Sequence, residues 1–133
     1  MNIGSRKVFL EDLLDKFQKE GIKFSLRIFL GGLGETKKSL NNCLYYLNNL
    51  ALTKNKFCFV HADYFPLYLG CLAWNLLNKN TKNKYRNVDL IDYRQIFIDW
   101  VNLFCKVSLD NISEDRDSVN KSGSKLFKIR GFY

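Results

Sequence analysis

The sequence predicts a small layered α/β domain: a short, mainly parallel sheet flanked by helices, followed by a polar C-terminal extension. Three observations predict it. Apolar residues alternate between helical spacing and strand-like spacing along most of the chain. The run "FCFV" (57–60) is apolar without a polar parity, as in a strand buried on both faces of a parallel sheet. Glycines 31, 32 and 34 separate a strand pattern from a helix pattern, the order of a strand–helix–strand unit. With 133 residues, 47% of them apolar, the chain is long enough for one domain with a real core.

The elements follow in order. Val8, Phe9, Leu13, Leu14 and Phe17 share one face of a helix over Arg6–Glu20, with Ser5 as N-cap and Gly21 as terminator. Ile22, Phe24, Leu26, Ile28 and Leu30 have one parity, and Lys23, Ser25 and Arg27 the other, which predicts a strand with one wetter face. Leu40, Cys43, Leu44, Leu47 and Leu50 or Ala51 predict a helix over Thr36–Leu52, capped by Thr36. "FCFV" is the next strand and "HADYFP" the turn after it. Pro66 suits the first turn of a third helix carrying Leu67, Gly70, Cys71, Trp74 and Leu77. "NVDLI" (87–91) reads as a short strand, and Tyr93, Phe97, Trp100, Val101 and Phe104 as a helix over Asp92–Lys106. Ser108–Lys125 is polar and aperiodic, an expected exposed loop or linker. Residues 1–106 are thus expected to form the α/β domain, and 107–133 a polar linker with a basic, aromatic tail, "LFKIRGFY".

The glycine turn poses a chemical question. "GLGETKKS" (32–39) fits the phosphate-binding pattern G-x-x-x-x-G-K-[ST] except at Lys37, where the pattern has glycine. Such loops cradle phosphate with backbone N–H groups at a helix N-terminus. A side chain at the position of the second glycine obstructs that shape. The simpler reading is a strand end, a Thr36 cap and two solvated lysines. Lysines in a first helical turn oppose the helix dipole unless an anion lies nearby. A phosphate contact from RNA therefore suits them better than ATP chemistry.

Other chemistry finds little support. His61 is the only histidine. His61 with Asp63 would make a base, and Cys58 or Cys71 a nucleophile, but no spacing fixes their geometry, and His61 is read as structural. The four cysteines, Cys43, Cys58, Cys71 and Cys105, form no C-x-x-C pair and lie in apolar stretches, so they are read as reduced core residues. No catalytic residue, metal site, cofactor or small-molecule substrate is expected. No run approaches the ~18 apolar residues of a membrane span. "MNIGSRKVFLEDLLDKF" has no signal-like core and carries early acids, which argues against a transit peptide.

The charge speaks more clearly. A net charge of +8 favours an anionic partner, nucleic acid above all. The candidate RNA contacts are Lys37 and Lys38; Lys54 and Lys56; Lys79, Lys82, Lys84 and Arg86; and Lys125, Lys128 and Arg130 beside Phe127, Phe132 and Tyr133. Cations neutralise phosphates, and flanking aromatics stack on unpaired bases. The plain alternative is a solvated lysine-rich surface in an Asn- and Lys-rich chain from AT-rich coding DNA.

From Thr36 to Asp63, "TKKSLNNCLYYLNNLALTKNKFCFVHAD" resembles one segment of the second small-subunit ribosomal protein family of bacterial and organellar type. Thr36, Leu40, Cys43, Leu44 and Leu47 fit its T-x-x-x-L helix, and "KFCFV" its following strand. The family's G-x-L-T-N element and coiled-coil insertion have no counterpart here. The resemblance implies a structural α/β protein contacting ribosomal RNA and neighbouring ribosomal proteins. An organellar, mitochondrial setting follows as the expected location, with synthesis inside the organelle. The alternatives are an α/β domain with a degenerate phosphate loop, either a nucleotide binder or an inactive hydrolase relative, and a viral or plasmid-borne adaptor that binds only protein.

Overall fold

The computed structural model describes residues 3–54, 58–85 and 92–130, with side chains described at 9–47, 49, 59–85 and 92–121. The elements run α1 (Ile3–Lys19), β1 (Phe24–Leu30), α2 (Lys37–Lys54), β2 (Cys58–Tyr64), α3 (Leu72–Asn80), α4 (Tyr93–Phe104) and α5 (Leu109–Arg130). The result is the small mixed α/β domain that the alternating patterns predict. The segment "NVDLI" and its expected strand lie outside the described residues.

The two strands pair in parallel, from Phe24 opposite Cys58 to Leu30 opposite Tyr64, with α2 as the crossover. The parity of β1 holds along its length: Phe24, Leu26, Ile28 and Leu30 turn inward, and Ser25, Arg27 and Phe29 outward. The most deeply buried side chains are Leu30, Leu40, Leu77, Ile96, Trp100, Val101 and Ile112. They join the end of β1 to α2, α3, α4 and α5. Phe97 and Trp100 set α4 across the C-terminal end of the sheet: the Phe97 ring lies 4.6 Å from that of Tyr64, and Trp100 Nε1 donates to the Gly31 carbonyl at 2.8 Å.

Three boundaries differ from the sequence reading. α1 begins at Ile3, ahead of the expected Ser5 cap. β2 continues through "HADY", read as a turn, and Phe65 N extends the ladder by donating to Leu30 O at 2.8 Å. The third helix starts at Leu72 rather than Pro66; the Cys71 thiol caps it, accepting from Trp74 N at 3.3 Å.

The largest difference is Ser108–Lys125. This segment is the body of α5, not an exposed loop. Ser108 caps it, its hydroxyl accepting from Asn111 N at 3.2 Å. Ile112 and Val119 are buried, which contributes about 1.5–3 kcal/mol each. Polar groups complete the contact with β2. Asn120 accepts from Ala62 N at 2.7 Å and donates to Ala62 O at 2.9 Å, pairing with the free strand edge as a neighbouring strand would. Tyr64 shares a 2.8 Å hydrogen bond with Ser113, and the Arg116 guanidinium lies 4.6 Å over the Tyr64 ring. Apolar periodicity reports such a face poorly because half of it is polar.

Candidate nucleic-acid interface

The glycine turn is built from its own side chains. Gly31 adopts φ +87° and Gly34 φ +74°, both in the left-handed region that favours glycine. Glu35 folds back, and its carboxylate accepts from Gly31 N at 3.3 Å and from the Ser39 hydroxyl. Thr36 and Ser39 cap α2 reciprocally: Ser39 N donates to Thr36 Oγ1 at 3.0 Å, and Thr36 N to Ser39 Oγ at 2.9 Å. Gly34 N donates to Phe104 O at 2.8 Å, Glu35 N to Gly32 O at 3.1 Å, and Lys106 N to Glu35 O at 2.7 Å. The amides of Gly31, Gly34, Glu35, Thr36 and Ser39 are therefore engaged within the protein. An internal carboxylate already holds Gly31 N and the Ser39 hydroxyl, and Ser39, the metal-ligand position of the motif, is a helix cap. The Glu35 carboxylate, bonded to the Ser39 hydroxyl, also sits near the positive end of α2, whose first turn carries no acid.

Lys37 and Lys38 are exposed beside this turn, and Lys37 Nζ reaches Asn111 Oδ1 at 3.5 Å. Among the described residues no ion pair engages Lys37, Lys38, Lys79 or Lys82.

The second cluster is the loop after α3. Asn78 organises it: its carbonyl accepts from Asn83 N at 2.8 Å and its side chain from Tyr85 N at 3.3 Å. Lys82 (φ 53°) and Asn83 (φ 61°) both take the left-handed conformation. That conformation costs a lysine roughly 1–2 kcal/mol. Lys79 and Lys82 are exposed. Lys84 is committed differently. Its Nζ lies 2.9 Å from Asp99 Oδ2, and Asp99 also accepts from the Tyr85 hydroxyl and, at 2.9 Å, from Gln95. Burial pushes the Asp99 carboxyl up, but the hydrogen bonds from Tyr85, Lys84 and Gln95 outweigh it and hold it below its usual range. The same contact with Asp99 raises Lys84. Burial and Asp99 together raise Tyr85. Lys84 thus anchors the loop to α4.

α4 connects the two clusters. Its Asn102 and Leu103 line a 430 Å³ cavity with Lys82 and Lys84, and the carbonyl of Phe104 holds Gly34. The exposed Lys106 follows, paired with Thr36 in a short parallel bridge. Lys82 and Lys84 therefore lie beside the last turns of α4, and Lys106, which follows it, pairs with Thr36, next in sequence to Lys37 and Lys38. The sequence reading missed Lys106, an isolated cation in "FCKVS" with no cluster to mark it.

The other candidates are placed less fully. Lys54 ends α2, and Lys125, Lys128 and Arg130 fall in the last turns of α5, all with side chains outside the described set. Lys56 and Arg86 lie outside the described residues. His61 Nε2 does meet Asp63 Oδ1, at 3.2 Å, but Cys71 serves as the cap of α3. Cys43, Cys71 and Cys105 carry free thiols. Burial, then Glu35, raises Cys43 and Cys105. Among the described residues no group of three His, Cys, Asp or Glu is placed to hold a metal ion. Among them, too, no helix is long and apolar enough to cross a membrane. Compared with family models, curated proteins and solved structures, the chain matches none.

Proposed function

We propose that the chain is a structural, RNA-contacting component of a ribonucleoprotein, an organellar small-subunit ribosomal protein. The observation that carries this reading is the set of exposed lysines on the two segments that α4 connects, Lys37, Lys38 and Lys106 at one and Lys82 and Lys84 at the other, in a chain of net charge +8. The loop of Lys82 supports it. A lysine kept on left-handed backbone, where glycine would sit without strain, is understandable if its charge is used. Apolar side chains on the surface support the assembly. Tyr68, Leu69, Leu72 and Tyr93 are each more than half exposed, as suits a chain that packs on neighbouring proteins. The resemblance over residues 36–63 spans α2 and β2 and points the same way.

The nucleotide-binding alternative has the strand–glycine turn–helix order in its favour. The Glu35 carboxylate at Gly31 N weighs against it, as does the capping role of Ser39. A protein-only adaptor would leave the lysine cluster without a use.

The test is sedimentation of the native protein from its own source. Co-migration with small ribosomal subunits, lost after ribonuclease treatment, is the expected result. Migration as a free protein, or in a particle that ribonuclease leaves intact, would overturn the reading.

A further inference from the structure

The outer face of the sheet carries side chains that the lysine cluster does not use. β1 places Ser25, Arg27 and Phe29 there, and β2 places Phe59, His61 and Asp63, in the register Ser25–Phe59, Arg27–His61 and Phe29–Asp63. Parallel sheets ordinarily have both faces covered. Here the Arg27 side chain is 66% exposed and Phe29 46%. The face is aromatic and polar together. The rings of Phe59 and His61 lie 6.2 Å apart, centroid to centroid, and inclined by only 20°. Arg27 Nε sits 3.0 Å from Asp63 Oδ2, and the other oxygen of Asp63 lies 3.2 Å from His61 Nε2. A cavity of 250 Å³ is lined by Ser25, Leu26, Arg27, Phe59 and His61, residues of both strands.

We propose that this face binds one or two bases of single-stranded RNA, stacked on Phe59 and His61, with Arg27 on a phosphate. The inference rests on the RNA reading above and names a second, chemically different contact within it. Three features favour a nucleotide over an apolar protein segment. Nearly parallel rings on one strand offer flat π faces, and every base has one to match. Arg27 presents a planar fork suited to phosphate, and Asp63 already orients it, so little freedom is lost on binding. The cavity is smaller than the roughly 300–1,000 Å³ that encloses a drug-sized ligand, and three of its lining side chains are polar. Four-stranded sheets that read RNA this way stack two or three bases, so two strands suit one or two. A larger cavity, 640 Å³ among Tyr64, Phe65, Leu67, Tyr93 and Phe97, is richer in apolar side chains and better suited to a protein neighbour.

The test uses fluorescence anisotropy of the full chain with a labelled oligouridylate and, separately, a labelled RNA duplex. Phe59→Leu keeps an apolar side chain and removes the ring. It is expected to weaken oligouridylate binding roughly 5- to 100-fold and leave duplex binding unchanged. Arg27→Gln alters an exposed side chain and leaves Asp63 bonded to His61, so it serves should Phe59→Leu misfold. It is expected to weaken the single strand and to flatten its log–log salt dependence by roughly 0.7. If both variants bind the single strand as the wild type does while duplex binding persists, the inference is overturned and the lysine-based reading stands. If the wild type binds neither RNA, both fall.

Discussion

Gly31 and Gly34 offer a paired test of how the site is built. Replacing either by alanine places a Cβ on left-handed backbone, at a cost of roughly 1–2 kcal/mol. Both also gain about 0.4–1 kcal/mol from a less flexible unfolded chain. Those terms nearly cancel between the two positions. The surroundings do not. At Gly34 the new Cβ meets nothing within 4 Å. At Gly31 it would stand 2.9 Å from Phe97 Cζ and 3.3 Å from Ile112 Cδ1. Phe97 has little room to retreat, because its ring packs against Tyr64 at 4.6 Å. Overpacking of this kind costs typically 1–3 kcal/mol. Gly31→Ala should therefore be less stable than Gly34→Ala by roughly 1–3 kcal/mol. Urea unfolding followed by tryptophan fluorescence reads this directly, since Trp100 donates to the Gly31 carbonyl. Equal losses at the two glycines would refute the packing of α4 and α5 against the turn.

Two further substitutions probe the site's chemistry. Lys37→Gly completes the phosphate-loop pattern in sequence, yet with Gly31 N held by Glu35 it should confer no saturable binding of magnesium ATP; micromolar binding abolished by Lys38→Ala would contradict this. Asp99→Asn tests the anchor of the basic loop. The folded carboxyl lies below its unfolded value of about 3.9, so its stabilisation is complete above that pH and is lost as pH falls through the folded value. The variant should be less stable than the wild type at neutral pH, with the gap in urea midpoint closing below about pH 4; a constant gap across that window would refute the assignment.

Much of the fold is legible in the residues. The alternation of β1 and the stripe of α2 each report one buried face, and each element forms where its pattern lies. The Thr36 cap is also legible, because a hydroxyl before an apolar-periodic run has one obvious use. α5 is not, because Asn120, Ser113 and Arg116 meet β2 through polar contacts that periodicity does not register. The start of α3 is not legible either, because Pro66 suits a first helical turn as well as the irregular link it occupies. At the candidate site, sequence clusters marked Lys37, Lys38, Lys79, Lys82 and Lys84 by proximity alone. That proximity could not separate Lys84, bound to Asp99 fifteen residues away, from the uncommitted lysines, nor bring in Lys106. Those facts are tertiary. Arg27, His61 and Asp63 are likewise joined only by strand register.

The salt dependence of RNA binding bears most directly on the lysines around α4. Affinity of the full chain for a transcript of small-subunit ribosomal RNA would be measured from about 50 to 200 mM salt, beside a Lys37→Gln, Lys82→Gln, Lys106→Gln triple variant. If these cations meet phosphates, log K falls linearly with log salt, and the variant's slope is shallower by roughly 2–3 at an unchanged urea midpoint. Superimposable lines for the two proteins, or an affinity indifferent to salt, would contradict it.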